Sequence, residues 1–223
     1  NIYNIDTDMR ITVGQKEFIR QVDIKLPEGK QRIGVMLSGG ADSAVLLYLL
    51  CLERKMDRST QELIPFTVAR PDGAWDYVLP IVEWVRNRLE LTAEQLPDPV
   101  QVGDATVHHS QQGRTGEREA RTRHSIEHIF YGSQAHPDRA LIELPGEYPN
   151  RPASIELPGT TCPFALVDKR HTISLYETFD VWPLIELTHS CTAQTVGRCG
   201  ECYNCREREW AMTQMDFTDP GVK

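Results

Sequence analysis

Two groups of residues in this chain have the types and spacing to do chemistry. The first is the string Ser38-Gly39-Gly40-Ala41-Asp42-Ser43, which follows the apolar run Ile33 to Leu37 and precedes another that starts at Ala44. A strand ending in such a string releases backbone amides into the space above the sheet's carboxyl edge, and Gly39 and Gly40 let that backbone approach an anion closely. A helix beginning near Asp42 and Ser43 adds unpaired N–H groups and the positive end of its dipole, while Ser38 and Ser43 add hydroxyl donors. Phosphate binding is the chemistry predicted. Asp42 has two readings, as a helix cap or as a carboxylate that holds Mg2+ through a water. The lysine-bearing loop Gly-x-x-x-x-Gly-Lys-Ser/Thr occurs nowhere in the sequence, which excludes an ordinary P-loop nucleotide hydrolase.

The second group is Cys191, Cys199, Cys202 and Cys205, with Gly200 between the second and third. Four thiolates at these separations can surround one tetrahedral ion, and Gly200 permits the tight turn between ligands. A closed four-thiolate site has no open coordination position. The expected metal is therefore structural Zn2+, pinning the C-terminal segment over the sheet. An iron–sulfur cluster is the alternative, because Cys-x-x-Cys-x-x-Cys also occurs in ferredoxin-type ligation; the upstream fourth Cys and the absence of Pro after Cys205 favour zinc. Cys51 reads as a small buried hydrophobe, and Cys162, before Pro163, as structural unless a sulfur-transfer step needs it. Crowded cysteines with no secretory leader ahead of Asn1 predict a reducing, cytoplasmic location rather than disulfides.

Other polar clusters are weaker. The stretch from His108 to Arg118 reads as flexible and locally basic, with Arg121 and Arg123 beyond it. Arg114 is the one arginine there expected to clamp a triphosphate or a substrate carboxylate; the others read as a solvated helix face paired with Glu117, Glu119 and Glu127. Adjacent His108 and His109 lack the i, i+4 convergence of helical metal ligands.

The elements that must position these groups follow from periodicity. Residues 1–31 alternate at Ile11 and Val13 and at Val22, Ile24 and Leu26, with the turn Pro27-Glu28-Gly29, and predict short antiparallel strands. Ile33 to Leu37 is a buried strand, Ala44 to Glu53 a helix, Leu63 to Val68 a second strand, and Trp75 to Leu91 an amphipathic helix. Val100 to Val102 and Ile129 to Tyr131 complete the strands, with a helix over Glu117 to Glu127 between them. Alternating strands and helices predict a parallel sheet with helices on both faces. The Pro- and Gly-rich stretch from Pro137 to Pro163 predicts a long surface excursion of the kind that forms lids. Lys169 to Phe179 and Trp182 to Leu187 are expected helices. The division expected is an N-terminal extension over 1–31, a nucleotide-binding α/β domain over 32–187, and a metal-binding segment over 188–223.

Composition narrows the partners. The 223 residues carry a formal net charge of -8, so a broad electropositive face for nucleic acid is not expected. The longest apolar run, Ala44 to Leu52, is well short of the ~20 residues that span a bilayer. A small ligand is the predicted partner. Segments around Trp75 and Trp182 offer a possible homodimer contact.

Taken together, Ser-Gly-Gly-x-Asp-Ser near the start and Cys-x7-Cys-Gly-x-Cys-x-x-Cys-x-x-Arg near the end resemble the PP-loop, or N-type, ATP pyrophosphatases, and within them the 7-cyano-7-deazaguanine synthase family. Pro163 to Lys169 resembles that family's Pro-Leu…Asp-Lys segment. The resemblance implies an adenine-nucleotide α-hydrolase-like, Rossmann-like fold. It also implies that Ser38, Gly39, Gly40, Asp42 and Ser43 hold ATP with Mg2+, that Asp42, Lys169 and Arg114 serve catalysis, and that the four cysteines bind zinc. The implied reaction converts a 7-carboxy-7-deazaguanine and ammonia to the nitrile through an adenylated carboxylate, with AMP and pyrophosphate released. Two departures bear on the second substrate: Ala69-Arg70-Pro71-Asp72-Gly73 replaces the family's Gly-Gln region, and Gly113-Arg114-Thr115 replaces Gly-Arg-Asn. Attachment of the deazapurine to another amine, thiolation of a tRNA base, and nucleotide sensing without catalysis are the competing functions.

Overall fold

The computed structural model describes residues 9–146 and 148–220. An antiparallel ribbon comes first, with β1 (Met9–Val13) and β2 (Arg20–Ile24) paired from Met9↔Ile24 to Val13↔Arg20. Met9, Ile11, Val13, Val22 and Ile24 point inward and join the main core, so the ribbon packs with the sheet domain rather than apart from it.

The main fold alternates as its apolar pattern requires. β3 (Arg32–Met36) leads through the glycine loop into α1 (Ala41–Met56), and β4 (Glu62–Val68) leads into α2 (Ala74–Leu89). β5 (Val100–Val102), α3 (His109–Arg123) and β6 (His128–Tyr131) follow. Two short strands, β7 (Glu156–Leu157) and β8 (Thr160–Thr161), precede α4 (Lys169–Thr178), α5 (Trp182–Glu186) and α6 (Tyr203–Gln214). The sheet order is β5-β4-β3-β6-β8-β7, parallel throughout except for the β7–β8 pair. Pro65 is tolerated inside β4 because only β3 flanks it there; pairing with β5 begins at Phe66.

Both faces of the sheet are covered. Ile33, Val35, Leu63 and Phe130 belong to one core with α1, α2, α4, α5 and α6. Ile64, Phe66, Val68, Val102 and Ile129 form a second core with Ala120 and Ile126. This is the expected α/β fold with helices on both faces. Among the described residues, no helix is long and apolar enough to cross a membrane.

Two expectations need correction. The stretch His108 to Arg118 is not a flexible loop: it forms most of α3, which starts at His109 and ends at Arg123 rather than running from Glu117 to Glu127. Its buried positions are Gln112, Gly116 and Ala120, four residues apart. A Cβ on Gly116 would lie 2.7 Å from Val68 Cγ2, so that residue must be small for α3 to lie against the sheet. The 137–163 excursion is irregular as expected, but it also extends the sheet, because β8 pairs with β6.

Candidate active site

The strand order places the site. From β3 the chain steps outward through β4 to β5, then returns to the other side of β3 with β6. Connections leaving β3 and β6 therefore diverge, and the crevice between their carboxyl ends is where open α/β sheets bind ligands. The loop Ser38 to Ser43 stands at that point.

The loop's shape comes from close packing. Gly39 has φ +72°, and a Cβ there would meet Ala74 O at 3.0 Å, at the start of α2. Gly132, just past β6, is pressed harder: a Cβ would lie 2.7 Å from Ser43 N and 2.8 Å from Asp42 C. Ser43 Oγ accepts from Ser38 N–H at 3.2 Å and donates to Gly40 O at 3.1 Å, folding the loop over the first turn of α1. His189 N–H donates to Gly39 O at 2.8 Å, tying the C-terminal segment to the loop. No side chain caps α1. Its first N–H groups are left for a ligand.

Asp42 does not cap α1; both of its oxygens are engaged by other side chains. One carboxylate oxygen accepts from Lys169 Nζ and the other from Thr172 Oγ1 at 2.7 Å. With the Gln134 amide oriented to satisfy its neighbours, its nitrogen donates to Asp42 Oδ2 and its oxygen accepts from Lys169 Nζ, both at 3.0 Å. Lys169 is 5% exposed, so it is a built-in group and not a solvated helix lysine. It lies 4.0 Å from Glu207 Oε2. Glu207 is wholly buried on α6 and is gripped by both arms of Arg151, at 2.6 and 2.7 Å. Arg151 belongs to the 137–163 excursion, so one buried charge network joins loop, α4, α6 and excursion. Burial of two ion pairs is tolerable because each charge keeps several partners.

Above the loop is a cavity of about 160 Å³ lined by Ser38, Gly40, Asp42, Lys169, Arg70 and Asp72, and closed by residues 189–192 and Asn204. Larger hollows lie elsewhere. One of about 690 Å³ sits at the opposite edge of the sheet, where Arg54 and Lys55 already donate to backbone carbonyls, and it holds none of the chemical groups described here. Arg114 is exposed on α3 and does not line the loop cavity; the arginine that does is Arg70.

The four cysteines converge. Their sulfurs all lie within 4.8 Å of one another, and Cys199 and Cys205 are 4.0 Å apart. The Cys202 N–H points at Cys199 Sγ at 3.2 Å and the Glu201 N–H at 3.4 Å, an arrangement that stabilises thiolates. Burial pushes the Cys202 thiol up, but hydrogen bonds from the Thr192 and Cys205 backbone and from neighbouring thiols outweigh it and hold Cys202 at about 6. This donor set fits one tetrahedral ion. Cys191 is also part of the loop cavity's wall, so the two sequence motifs meet at one place. Cys51 and Cys162 are buried, and burial pushes them to about 12 and about 11; neither is poised as a thiolate. His108 is exposed, and the side chain of His109 lies outside the described ones. Trp182 packs against Tyr176 and Phe217, leaving Trp75 as the more exposed of the two tryptophans.

Sequence reasoning missed Gly132, Gln134, Arg151, Thr172 and Glu207. A Gly directly after a strand, as at Gly132, was the one available signal.

No family model matches the chain, and no curated protein matches it. Among solved structures it is similar to the U34-tRNA thiolase NcsA from Methanococcus maripaludis, determined with its 4Fe-4S cluster. The identity is 15% over 85% of this chain and 67% of that one, with a TM-score of 0.47. It is also similar to NAD+ synthetase from Burkholderia pseudomallei, at 14% identity over 82% of this chain and 74% of that one, with a TM-score of 0.37. Likenesses this distant carry no functional argument. The fold rests on the chain's own strand order, and the site on its own geometry.

Proposed function

We propose that the chain is an ATP-dependent carbon–nitrogen ligase of the ATP-pyrophosphatase type, converting 7-carboxy-7-deazaguanine and ammonia to 7-cyano-7-deazaguanine. The observation that carries this reading is the meeting of the glycine loop and the four-thiol cluster at one cavity on the sheet's switch point. Those are the two motifs on which the family resemblance rests.

In this reading the amides of residues 39–43 and the hydroxyls of Ser38 and Ser43 hold the nucleotide's phosphates. A substrate carboxylate oxygen attacks the α-phosphorus, and pyrophosphate leaves with the electron pair of the α–β bridge. Ammonia then adds to the acyl carbon and AMP departs, leaving the amide and a proton. A second adenylation, on the amide oxygen, lets AMP leave with that oxygen and the nitrile form as the nitrogen gives up its protons. Charge that builds on the α-phosphate needs fixed donors. Lys169 supplies one: of its three N–H groups, Asp42 and Gln134 take two, and the third remains for a phosphate oxygen. Mg2+ would arrive on the phosphate oxygens, as it commonly does, since Asp42 is already engaged on both oxygens.

The metal in this reading is Zn2+ at Cys191, Cys199, Cys202 and Cys205. A single ion with Zn–S bonds of about 2.3 Å brings thiolates to about 3.8 Å of one another, whereas a four-iron cluster puts each on a different iron, further apart. Sulfurs within 4.8 Å favour the single ion. Sulfur transfer is disfavoured by the buried, protonated Cys162. Six unpaired cysteines and a net charge of -8 support a cytoplasmic enzyme that acts on a small molecule without stable nucleic-acid binding.

The test is turnover with 7-carboxy-7-deazaguanine, ammonium and Mg-ATP. AMP and pyrophosphate should appear only when the acid is present, and the nitrile should be detected by mass spectrometry. ATP turnover indifferent to every deazapurine acid would sink the reading.

A further inference from the structure

The turn at residues 69–73 leaves the carboxyl end of β4, beside the loop that leaves β3. It is braced on both sides. The Ala69 N–H donates to Val102 O at 2.8 Å, and Asp72 Oδ1 accepts from the Ala74 N–H at 3.2 Å, fastening the turn to the start of α2. Pro71 holds its own φ between those anchors. Arg70 stands on this braced turn, exposed at the rim of the cavity that also contains Ser38, Gly40, Asp42 and Lys169.

The charges around it are already committed. Lys169 is held by Asp42, and Asp72 is used at the first turn of α2. Among the described residues Arg70 has neither an ion pair nor a hydrogen bond, so its guanidinium is available to a ligand in the cavity that it lines. A polyphosphate brings more negative charge than backbone dipoles neutralise, and a guanidinium fork matches two phosphate oxygens at once. Ser38, Gly40 and Asp42 of the loop line the cavity, and Arg70 lines it from the neighbouring turn.

Resting on the nucleotide-binding reading of the loop, we propose that Arg70 grips the β- and γ-phosphates of the bound nucleotide and keeps hold of the pyrophosphate once it separates. Arg70 would then act where the family resemblance implies Arg114, which does not line the cavity.

The experiment is calorimetric titration of the metal-loaded full chain and of Arg70→Ala with ATP, AMP and pyrophosphate, with circular dichroism as the check on folding. Loss of a charge-assisted, two-pronged contact should weaken ATP and pyrophosphate by about 10- to 100-fold and leave AMP within about 2-fold. ATP affinity unchanged in Arg70→Ala overturns the proposal, as does a parallel loss for AMP. A wild-type chain that binds no nucleotide overturns both this proposal and the ligase reading. ATP binding with the predicted Arg70 dependence, but without turnover of any deazapurine acid, overturns the ligase reading alone.

Discussion

Replacing Lys169 by Met should show whether the phosphate loop and the lysine are one built unit. Lys169 and Asp42 have side chains only 6% and 16% exposed, and removing the ammonium deprives Asp42 of its cation. Glu207 is less affected, because Arg151 still grips both of its oxygens. Breaking a buried pair costs roughly 3–5 kcal/mol. Asp42 keeps the Thr172 hydroxyl and the Gln134 amide, which puts the expected loss at the lower end, about 3 kcal/mol. In a chain of this size that corresponds to a fall in Tm of roughly 6–12 °C. Asp42→Asn should cost less, since Glu207 remains near the ammonium. The double variant should cost less than the sum of the two, with a coupling of at least about 1.5 kcal/mol. Urea unfolding at pH 7 of metal-loaded protein measures all three. A Lys169→Met loss below about 0.5 kcal/mol, or a coupling near zero, would mean that the pair adds nothing to stability and that loop and lysine are not one built unit.

Three further outcomes are expected. Gly132→Ala should cost about 1–3 kcal/mol and weaken nucleotide binding without altering metal content, because its Cβ strikes loop backbone that has nowhere to go; denaturation, titration and metal analysis together check this. Burial pushes Asp168 up, but hydrogen bonds and charge from His171 and Arg170 outweigh it and bring its carboxyl to about 2, below its unfolded value. Its contribution, about 2 kcal/mol, is therefore complete above about pH 4 and lost as pH falls towards 2. The stability gap between wild type and Asp168→Asn, followed by urea unfolding against pH, should close over that window. Purified protein should be colourless with one zinc per chain, and Cys202→Ser should lower both zinc content and Tm; absorption near 400 nm with iron in its place would overturn the single-ion reading.

What was legible in the sequence was what depends on neighbours along the chain. Gly39 is needed for a local backbone conformation, and Cys199, Cys202 and Cys205 surround an ion through a tight turn, so spacing reveals both. Lys169 became visible only through its resemblance to a family segment. Gln134, which meets both Asp42 and Lys169, Thr172, which meets Asp42, and Glu207, which lies near Lys169, come from three separate elements, and no periodicity links them to Asp42. The structure supplied what distance along the chain concealed. α3 was misjudged because its buried stripe is Gln112, Gly116 and Ala120, small or polar residues, with Gly116 needed for close approach to Val68 and Gln112 holding the preceding turn through the Ala105 and Val107 carbonyls. β7 and β8 have two residues each, too few for alternation to register. Arg114 does not line the loop cavity, because the stretch that carries it folds as α3, while the short turn after β4, with Arg70, borders it.

The central claim is that a carboxylate is activated through its own oxygen at the α-phosphate. Its most direct test uses 7-carboxy-7-deazaguanine with both carboxylate oxygens replaced by oxygen-18, together with ammonium and Mg-ATP. Mass spectrometry of the products should find one heavy oxygen in each AMP and none in pyrophosphate. Unlabelled AMP, or label in inorganic phosphate, would contradict it.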